Sequence, residues 1–421
     1  MNFNARTGFA AGMLLIAALA FGTSAWGDDD WAVPRRKDPF PAGESYLALL
    51  LPYSIPGIGS GVGFVFYETN HWFPHRAYVV ALTGDVQGTF TSIEQIPLIN
   101  KRLLVDLFAA NLGTVQFRNY TFRGMGTDGN RYTLLEYDRY NYYAPQLTLT
   151  EPNRRFDVYF QPSQSETRLT RVRDSSGHVI SDFTDPPGIF ARQYRAGLRL
   201  DLTDEYYDPR KGTRFVVEYN DSPRQSSIQP DFYTLDYRLS GYVPIGKRST
   251  LALHSFQSDA IVRQTGETRA AALAQIDNLG CQPGDATCQA SQTALINNDM
   301  AAHKNGTSTT LGGDTYLRGY PANRFQGAHT LYVSAELRIN LTEEATPFDY
   351  FFFRDVRTGF QIAPFYEAGS VSETPGTLGD RWKDDGGVGI RLITASGSVY
   401  RADFAVGSEG FVPTLTVFYP W

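Results

Sequence analysis

Two short segments contain residue types that could bind a cofactor, but neither has the context that its chemistry needs. GYVPIGKR at 241–248 resembles a phosphate-binding loop, but Arg248 stands where a serine or threonine would contact magnesium. Such a loop must also open a helix, whereas this segment is typical of a turn between strands. GIGSGVG at 57–63 is likewise a glycine-rich turn. Neither Gly-x-Ser-x-Gly nor His-Glu-x-x-His occurs, so we predict no enzyme and no cofactor, although catalytic groups on a rim need no such motif.

The two cysteines lie seven residues apart, in CQPGDATC at 281–288. In an exported chain, such close spacing indicates one local disulfide between Cys281 and Cys288. A metal site would need more ligands than these cysteines and the six scattered histidines provide, so no metal is predicted.

The elements that position these residues have a period of two. In HTLYVSAELRINL at 329–341, six apolar residues alternate with six polar ones. The same alternation occurs at 193–202, 232–241 and 399–407. Strict alternation predicts strands with one apolar and one polar face.

A soluble sandwich would also alternate, but the polar faces here contain paired charges, as in Glu336 with Arg338 and Arg401 with Asp403. The other face is aliphatic, and aromatic residues lie towards the strand ends. This pattern is typical of an outer-membrane barrel, with lipid outside and a polar lumen inside. Because hydrocarbon satisfies no backbone group, such a sheet has to close. We therefore predict an all-β, antiparallel transmembrane β-barrel.

About sixteen strands are predicted, an even number that places both chain ends on the periplasmic side. Their ranges are 45–53, 61–70, 76–84, 89–98, 102–110, 131–148, 154–170, 190–203, 213–220, 231–243, 249–259, 328–341, 357–371, 385–394, 398–407 and 411–421. Short turns then fall on the periplasmic side and longer loops on the external side. The long interruption at 260–327 becomes the sixth external loop, and 344–356 the longest periplasmic turn.

Composition and the first residues agree with a barrel. Charged residues are 19% of the 421, aromatic residues 14%, and the net charge is −6. These values argue against a disordered or nucleic-acid-binding chain, and the chain lacks the several long apolar runs of a helical membrane protein. Residues 1–27 are predicted to be a signal peptide, since the apolar run at 9–21 is shorter than the roughly 20 residues of a spanning helix. Residues 28–44 are then a short periplasmic segment, and 45–421 are the barrel in the bacterial outer membrane.

The interruption ends in LGGDTYLRGYPANRFQG at 311–327, where Leu317, Arg318, Gly319 and Tyr320 form Leu-Arg-Gly-Tyr. With this motif the chain resembles the BamA/TamA-type outer-membrane assembly factors, whose bacterial surface antigen domain has a similar motif in loop six. Other pieces that resemble the family follow in order: DLTDEYYDPRKGTRF at 201–215, YVPIGKRSTLAL at 242–253, APFYEAGSV at 363–371, GVGIRL at 387–392 and YRADFAVG at 400–407. The resemblance covers about 195–421, and only the barrel period supports it over 45–190.

One departure from the family precedes the barrel. Family members usually have periplasmic POTRA modules, and the seventeen residues at 28–44 are too few for one. The expectation is a barrel-only member, and substrate docking by POTRA modules does not carry over.

The resemblance implies that loop six folds into the lumen and that Arg318 holds its tip against the barrel wall. A guanidinium shielded from water needs a carboxylate, and a bidentate pair fixes its position and orientation. Glu367 and Asp403 both fall on the predicted lumen face, and the choice between them stays open. At the C-terminus, Leu415, Val417, Tyr419 and Trp421 share a face and resemble the signal that barrel-assembly machinery recognises by strand pairing.

Three functions remain open. The resemblance favours a factor that helps client proteins insert into, or cross, the outer membrane. The alternatives are a passive pore and a surface protein that binds through the 260–327 loop. The predicted partners are outer-membrane lipid, the machinery that inserts the barrel, and client outer-membrane or secreted proteins, with no nucleic acid.

Overall fold

A computed structural model describes residues 38–40, 43–126, 129–276, 278–342, 348–350, 353–356, 358–394, 399–417 and 419–421. The predicted signal peptide at 1–27 and most of the segment at 28–44 lie outside these residues. In the part of the chain that the structure describes, no helix is long and apolar enough to cross a membrane.

Sixteen long antiparallel strands form the wall of a closed barrel, which confirms the predicted fold class. The strands are β1 (Ser45–Ile55), β2 (Gly59–Thr69), β3 (Arg76–Gly84), β4 (Gln87–Ile99), β5 (Leu103–Tyr120), β6 (Tyr132–Tyr143), β7 (Phe156–Arg173), β8 (Ile189–Asp201), β9 (Gly212–Ser222), β10 (Asp231–Ile245), β11 (Ser249–Gln264), β12 (His329–Asn340), β13 (Thr358–Ser372), β14 (Lys383–Thr394), β15 (Val399–Gly407) and β16 (Gly410–Val417). Each pairs with its neighbours in chain order, and β16 returns to β1.

The junction of β16 with β1, which we call the seam, has much less backbone pairing than the other junctions. Eleven residue pairs join β1 to β2, from Ser45 opposite Thr69 to Ile55 opposite Gly59. Across the seam, Ser54 opposite Leu415 is the one pair within the described residues. Since paired backbone groups hold neighbouring strands together, the seam is the weakest junction of the wall.

Alternation decides which side chains face lipid. On β12, Glu336 and Arg338 are buried inside the barrel. Val333, on the opposite face of the same strand, is 38% exposed on the outside. On β8, Leu198 and Leu200 are more than 40% exposed, as expected for side chains in contact with hydrocarbon.

The structure corrects three predicted strand ranges. The strand predicted at 131–148 is broken, because Pro145 cannot donate a ladder hydrogen bond, and a separate short strand follows at Gln146–Thr150. The strand predicted at 102–110 continues to Tyr120. The last strand was predicted to reach 421 but ends at Val417, because the tail turns into the lumen.

We call the end where β1 begins and β16 ends the terminal end, and the opposite end the loop end. The sixth connection at the loop end, between β11 and β12, is the long one, as predicted. It contains α1 (Ala270–Ile276) and α2 (Ala286–Asn305), and a disulfide joins Cys281 to Cys288. The prediction that loops at this end are longer is wrong for three of them, since 56–58, 85–86 and 408–409 are two- or three-residue turns.

The connection between β12 and β13 forms a hairpin at the terminal end. Its strands are Phe348–Tyr350 and Phe353–Val356, and the second pairs with β1 at Tyr46 and Leu47. The free edge of β1 is therefore shared. β16 occupies it near the loop end, and this hairpin occupies it near the terminal end.

Candidate functional site

Loop six returns through the lumen as a compact segment, 311–325, which we call the plug. Its ends pair with each other, since Leu311 and Phe325 exchange two backbone hydrogen bonds of 3.0 Å. Leu317 adopts a left-handed backbone conformation, with φ of +54°, and so turns the chain at the motif. Leu311, Leu317 and Phe325 are fully buried.

Arg318 lies at the centre of the plug and is fully buried. Its Nε donates to Glu367 at 2.7 Å, and its backbone N–H donates to the second oxygen of the same carboxylate at 2.8 Å. Its Nη1 donates to Asp403 at 3.0 Å and to Glu336 at 3.3 Å. The guanidinium carbon also lies 3.5 Å from the centroid of the Phe365 ring. One cation therefore joins the plug to β12, β13 and β15.

Three further arginines from the wall balance these carboxylates. Glu336 accepts from Arg338 Nε at 2.8 Å and from Arg391 Nη1 at 2.7 Å. Asp403 pairs with Arg401, which also binds the backbone oxygen of Asp314 in the plug. Because the acidic groups are shared among several guanidinium groups, each buried charge has opposite charges beside it. We call this network the clamp.

The rest of the motif fits the wall closely. The Gly319 N–H donates to Asp385 at 2.9 Å, and a Cβ on Gly319 would lie 2.6 Å from the Cβ of Asp385. The Tyr320 hydroxyl donates to the backbone oxygen of Asp384 at 3.0 Å and lies 3.1 Å from Ser408 Oγ. Any side chain at 319 would therefore push the plug off β14.

Aromatic stacking continues the contact toward the terminal end. The Tyr316 ring of the plug stacks on Phe256, with centroids 4.6 Å apart. Trp421, the last residue, stacks on His254 at 4.7 Å, and the Tyr419 hydroxyl donates to Asp208 at 2.7 Å. The tail therefore lies inside the barrel.

The turn between β8 and β9, at 202–211, crosses the terminal end. Tyr206 is surrounded by the guanidinium groups of Arg154, Arg199 and Arg214, 4.8 to 5.4 Å from its ring. Burial raises the pKa of Tyr206, so it stays a neutral phenol. Tyr207 reaches the other side of the barrel, where its hydroxyl accepts from Gln95 of β4 at 2.7 Å.

The middle of the inner face of β1 to β4 is apolar, in contrast to that of β8 to β15, although Arg76 and Glu94 lie on the same face at the terminal end. Leu49, Val65 and Val80 lie side by side on β1, β2 and β3, and Phe90 follows on β4. On the opposite side, Arg199, Glu218, Asp236 and Arg238 face inward from β8, β9 and β10. We call these two surfaces the apolar half and the polar half.

The structure brings together several of the site residues that were predicted from the sequence. Glu367 and Asp403 both contact Arg318, so the two predicted partners are not exclusive alternatives. Tyr419 and Trp421 point into the lumen, apart from Val417, which is exposed on β16. Glu336 and Asp385 were missed as contacts of the motif. The alternation at 329–341 had already placed Glu336 on the lumen face.

These features define a class. The chain is a closed, sixteen-stranded outer-membrane-type β-barrel whose sixth loop fills part of the lumen. No family profile and no curated protein sequence matches it.

Solved structures similar to this chain include BamA from Haemophilus ducreyi lacking POTRA domains 1–3, at 12% identity and a TM-score of 0.45, covering 91% of this chain and 69% of that one. CdiB from Escherichia coli matches at 11% identity and a TM-score of 0.49, with coverages of 90% and 62%. CdiB from Acinetobacter baumannii matches at 11% identity and a TM-score of 0.48, and the match covers 89% of this chain and 60% of that one. The chain thus spans less than two thirds of either CdiB.

Proposed function

We propose that this barrel assists the insertion or translocation of client proteins at the outer membrane. The observation that carries the proposal is the combination of a clamped plug with a weak seam. Arg318 binds the plug to three strands of the polar half, while one residue pair among the described residues joins β1 to β16. Such a wall can part at one defined place without losing its internal support.

A parted seam would offer two strand edges next to the hydrocarbon. An extended client segment can add to such an edge through backbone hydrogen bonds, so that affinity requires little side-chain specificity. At the terminal end, the hairpin strand Phe353–Val356 already pairs with β1 in this way. By the same physics, a client strand could pair with the β1 edge.

A passive pore is the second candidate, and the lumen contents argue against it. The plug, the tail and the turn at 202–211 cross the barrel at three levels. A surface-binding role would use α1, α2 and the disulfide loop, which belong to the long connection at the loop end. No observed contact assigns them a ligand class.

Two measurements separate these functions. Single-channel recordings of the purified protein should show little steady conductance, and Arg318→Ala should make it larger and noisier. In the envelope proteome of a deletion strain, the abundance of several outer-membrane proteins should fall at least severalfold. Large steady channels in the wild type together with an unchanged proteome would favour the pore and refute the proposal.

A further inference from the structure

The two ends of the barrel sheet overlap near the terminal end. Arg401 and Asp403 of β15 face the lumen. Tyr400 lies on the same strand next to Arg401, so by alternation its side chain faces outward. Nevertheless, Tyr400 packs against Leu47, Tyr67 and Tyr78, which lie on the inner face of β1, β2 and β3. The outer face of β15 and β16 therefore meets the inner face of the first strands.

Between these two layers lies a cavity of about 390 Å³. Its inner wall is the apolar half, including Leu51, Val65, Val80 and Phe90. Leu415 and Val417 of β16 form the facing wall. Ser92 and Glu94 provide polar groups in the lining and bond to each other at 3.0 Å.

The cavity reaches the membrane-facing surface through the seam. Pro52 also lines it, although its side chain lies on the outer face of β1 and is exposed. Val417 is likewise exposed on the outside of β16. The cavity is therefore continuous with the part of the barrel that contacts hydrocarbon.

Water is a poor occupant of most of this space, because a buried water needs two to four polar partners and the lining away from Ser92 and Glu94 is mainly apolar. A water molecule takes up roughly 30 Å³ in the liquid, so the cavity has room for about 13 groups of that size, which is also about the size of a methylene group. That is the size of one lipid acyl chain, which the bilayer presents at the opening.

We propose that this cavity binds one acyl chain of a glycerophospholipid from the surrounding membrane. The chain enters at the seam beside Pro52, its end lies against Val65 and Val80, and its head group stays outside the wall. The lipid would then fill the space between the overlapping layers of the apolar half. This site is independent of whether the barrel handles client proteins.

The test uses the full chain, labelled with photo-leucine and reconstituted in nanodiscs of phosphatidylethanolamine. After irradiation, lipid adducts are mapped by peptide mass spectrometry. Adducts are expected at Leu51 and Leu82, which face the lumen. They are also expected at Leu50, which faces lipid, but not at Leu317 in the plug.

Filling the cavity should remove the lipid. Val80→Trp, with Leu51→Phe as a second variant, should reduce adducts at Leu82 at least fivefold. Val62→Trp is the matched control, because Val62 faces outward on the neighbouring strand. It should leave those adducts unchanged, and heat-modifiable migration checks that each variant folds.

Three results would overturn the proposal. Adducts confined to outward leucines would mean that no chain enters. Adducts at Leu82 that survive both filling variants would place the lipid elsewhere. In protein isolated from cells, an adduct mass of free fatty acid in place of phospholipid would contradict the assigned source.

Discussion

The two halves of the lumen are built on opposite principles. In the polar half, Arg318, Glu336 and Glu367 belong to a network in which ion pairs connect the plug to several strands. In the apolar half, Leu49, Val65 and Val80 lie side by side on three consecutive strands, and none of them is charged. Ion pairs demand fixed geometry, whereas apolar packing tolerates rearrangement.

The seam lies in the apolar half, and the clamp lies in the polar half. β1 belongs to the apolar half, and the seam lies at its free edge. The clamp connects β12, β13, β14 and β15 through the plug and does not extend to β1. Outside the clamp, the plug also contacts the β1–β2 turn, where the Ala322 N–H donates to the Pro56 oxygen at 2.7 Å, and β16, where Thr416 donates to Asp314 at 3.2 Å. Movement of β1 away from β16 would therefore break the bond to Pro56, while the clamp continues to hold the plug on the polar half.

Reversing the charge of Arg318 should have the largest effect. Arg318→Glu places a fourth carboxylate beside Glu336, Glu367 and Asp403, and leaving buried charges unpaired costs about 3–5 kcal/mol. We expect loop six to become sensitive to protease at 265–328 and the heat-modifiable band to be lost at lower temperature.

Arg263→Glu is the matched control, because Arg263 pairs with Asp221 and Asp231 at an exposed site. Its loss should cost at most about 1 kcal/mol. Adding Glu367→Arg to Arg318→Glu should restore part of the stability. A double variant no better than Arg318→Glu alone would exclude Glu367 as the main partner and make Asp403 the next to test.

A second pair of variants compares the two halves directly. Val65→Glu would place a carboxylate between Leu49 and Val80, at a site only 6% exposed. Val216→Glu would place one between Arg199 and Arg238. Burying an uncompensated polar group costs about 1–3 kcal/mol in proteins, and a charge costs more.

Denaturant titration of both refolded variants measures this difference. We expect a clear loss of stability for Val65→Glu and a change within about 1 kcal/mol for Val216→Glu, since guanidinium groups flank it. Equal losses at the two sites would mean that the halves do not differ electrostatically.

The C-terminal tail is predicted to have two separable roles. Deleting Tyr419–Trp421 should lower outer-membrane levels, if these aromatic residues are part of an insertion signal. Tyr419→Phe keeps the ring and loses only the hydrogen bond to the Asp208 carboxylate, worth about 1.5–3 kcal/mol. It should reach normal levels with slightly lower thermal stability. Normal levels of the deletion variant would disprove the insertion signal.

The smallest effect on the barrel is expected at the disulfide. Cys281 and Cys288 close a short loop at the start of α2, in the long connection at the loop end. Thiol labelling of whole cells should fail without reductant and succeed with it, while the barrel stays folded. Labelling without reductant would show free thiols.

Most of the wall could be predicted from the sequence. Alternation is a local pattern, so all sixteen strands were found, and 76–84 was found with its observed ends. The tail was misjudged because Tyr419 and Trp421 continue the alternation of β16, and only distant partners such as Asp208 and His254 draw them inward.

The clamp was predicted in part, for a similar reason. The lumen face of each strand could be identified, which marked Glu367 and Asp403. The register between strands and the path of the plug could not be identified from the sequence. The contacts of Glu336 and Asp385 with the motif are therefore known only from the structure. The apolar half could not be predicted, because the strands that contain Leu49, Val65 and Val80 are apolar on both faces and the sequence therefore does not distinguish their inner face.

Locking the seam tests the proposed function most directly. Ser54→Cys with Leu415→Cys places two cysteines opposite each other across β1 and β16. Leu50→Cys with Phe64→Cys does the same across β1 and β2 and serves as the control. Each pair is expressed in the deletion strain, oxidised, and compared by envelope proteome with and without reductant. We predict that the oxidised seam pair reproduces the deletion proteome and that reductant reverses this, while the control pair has no effect. A normal proteome with the seam fully cross-linked would contradict a barrel that works by parting at this junction.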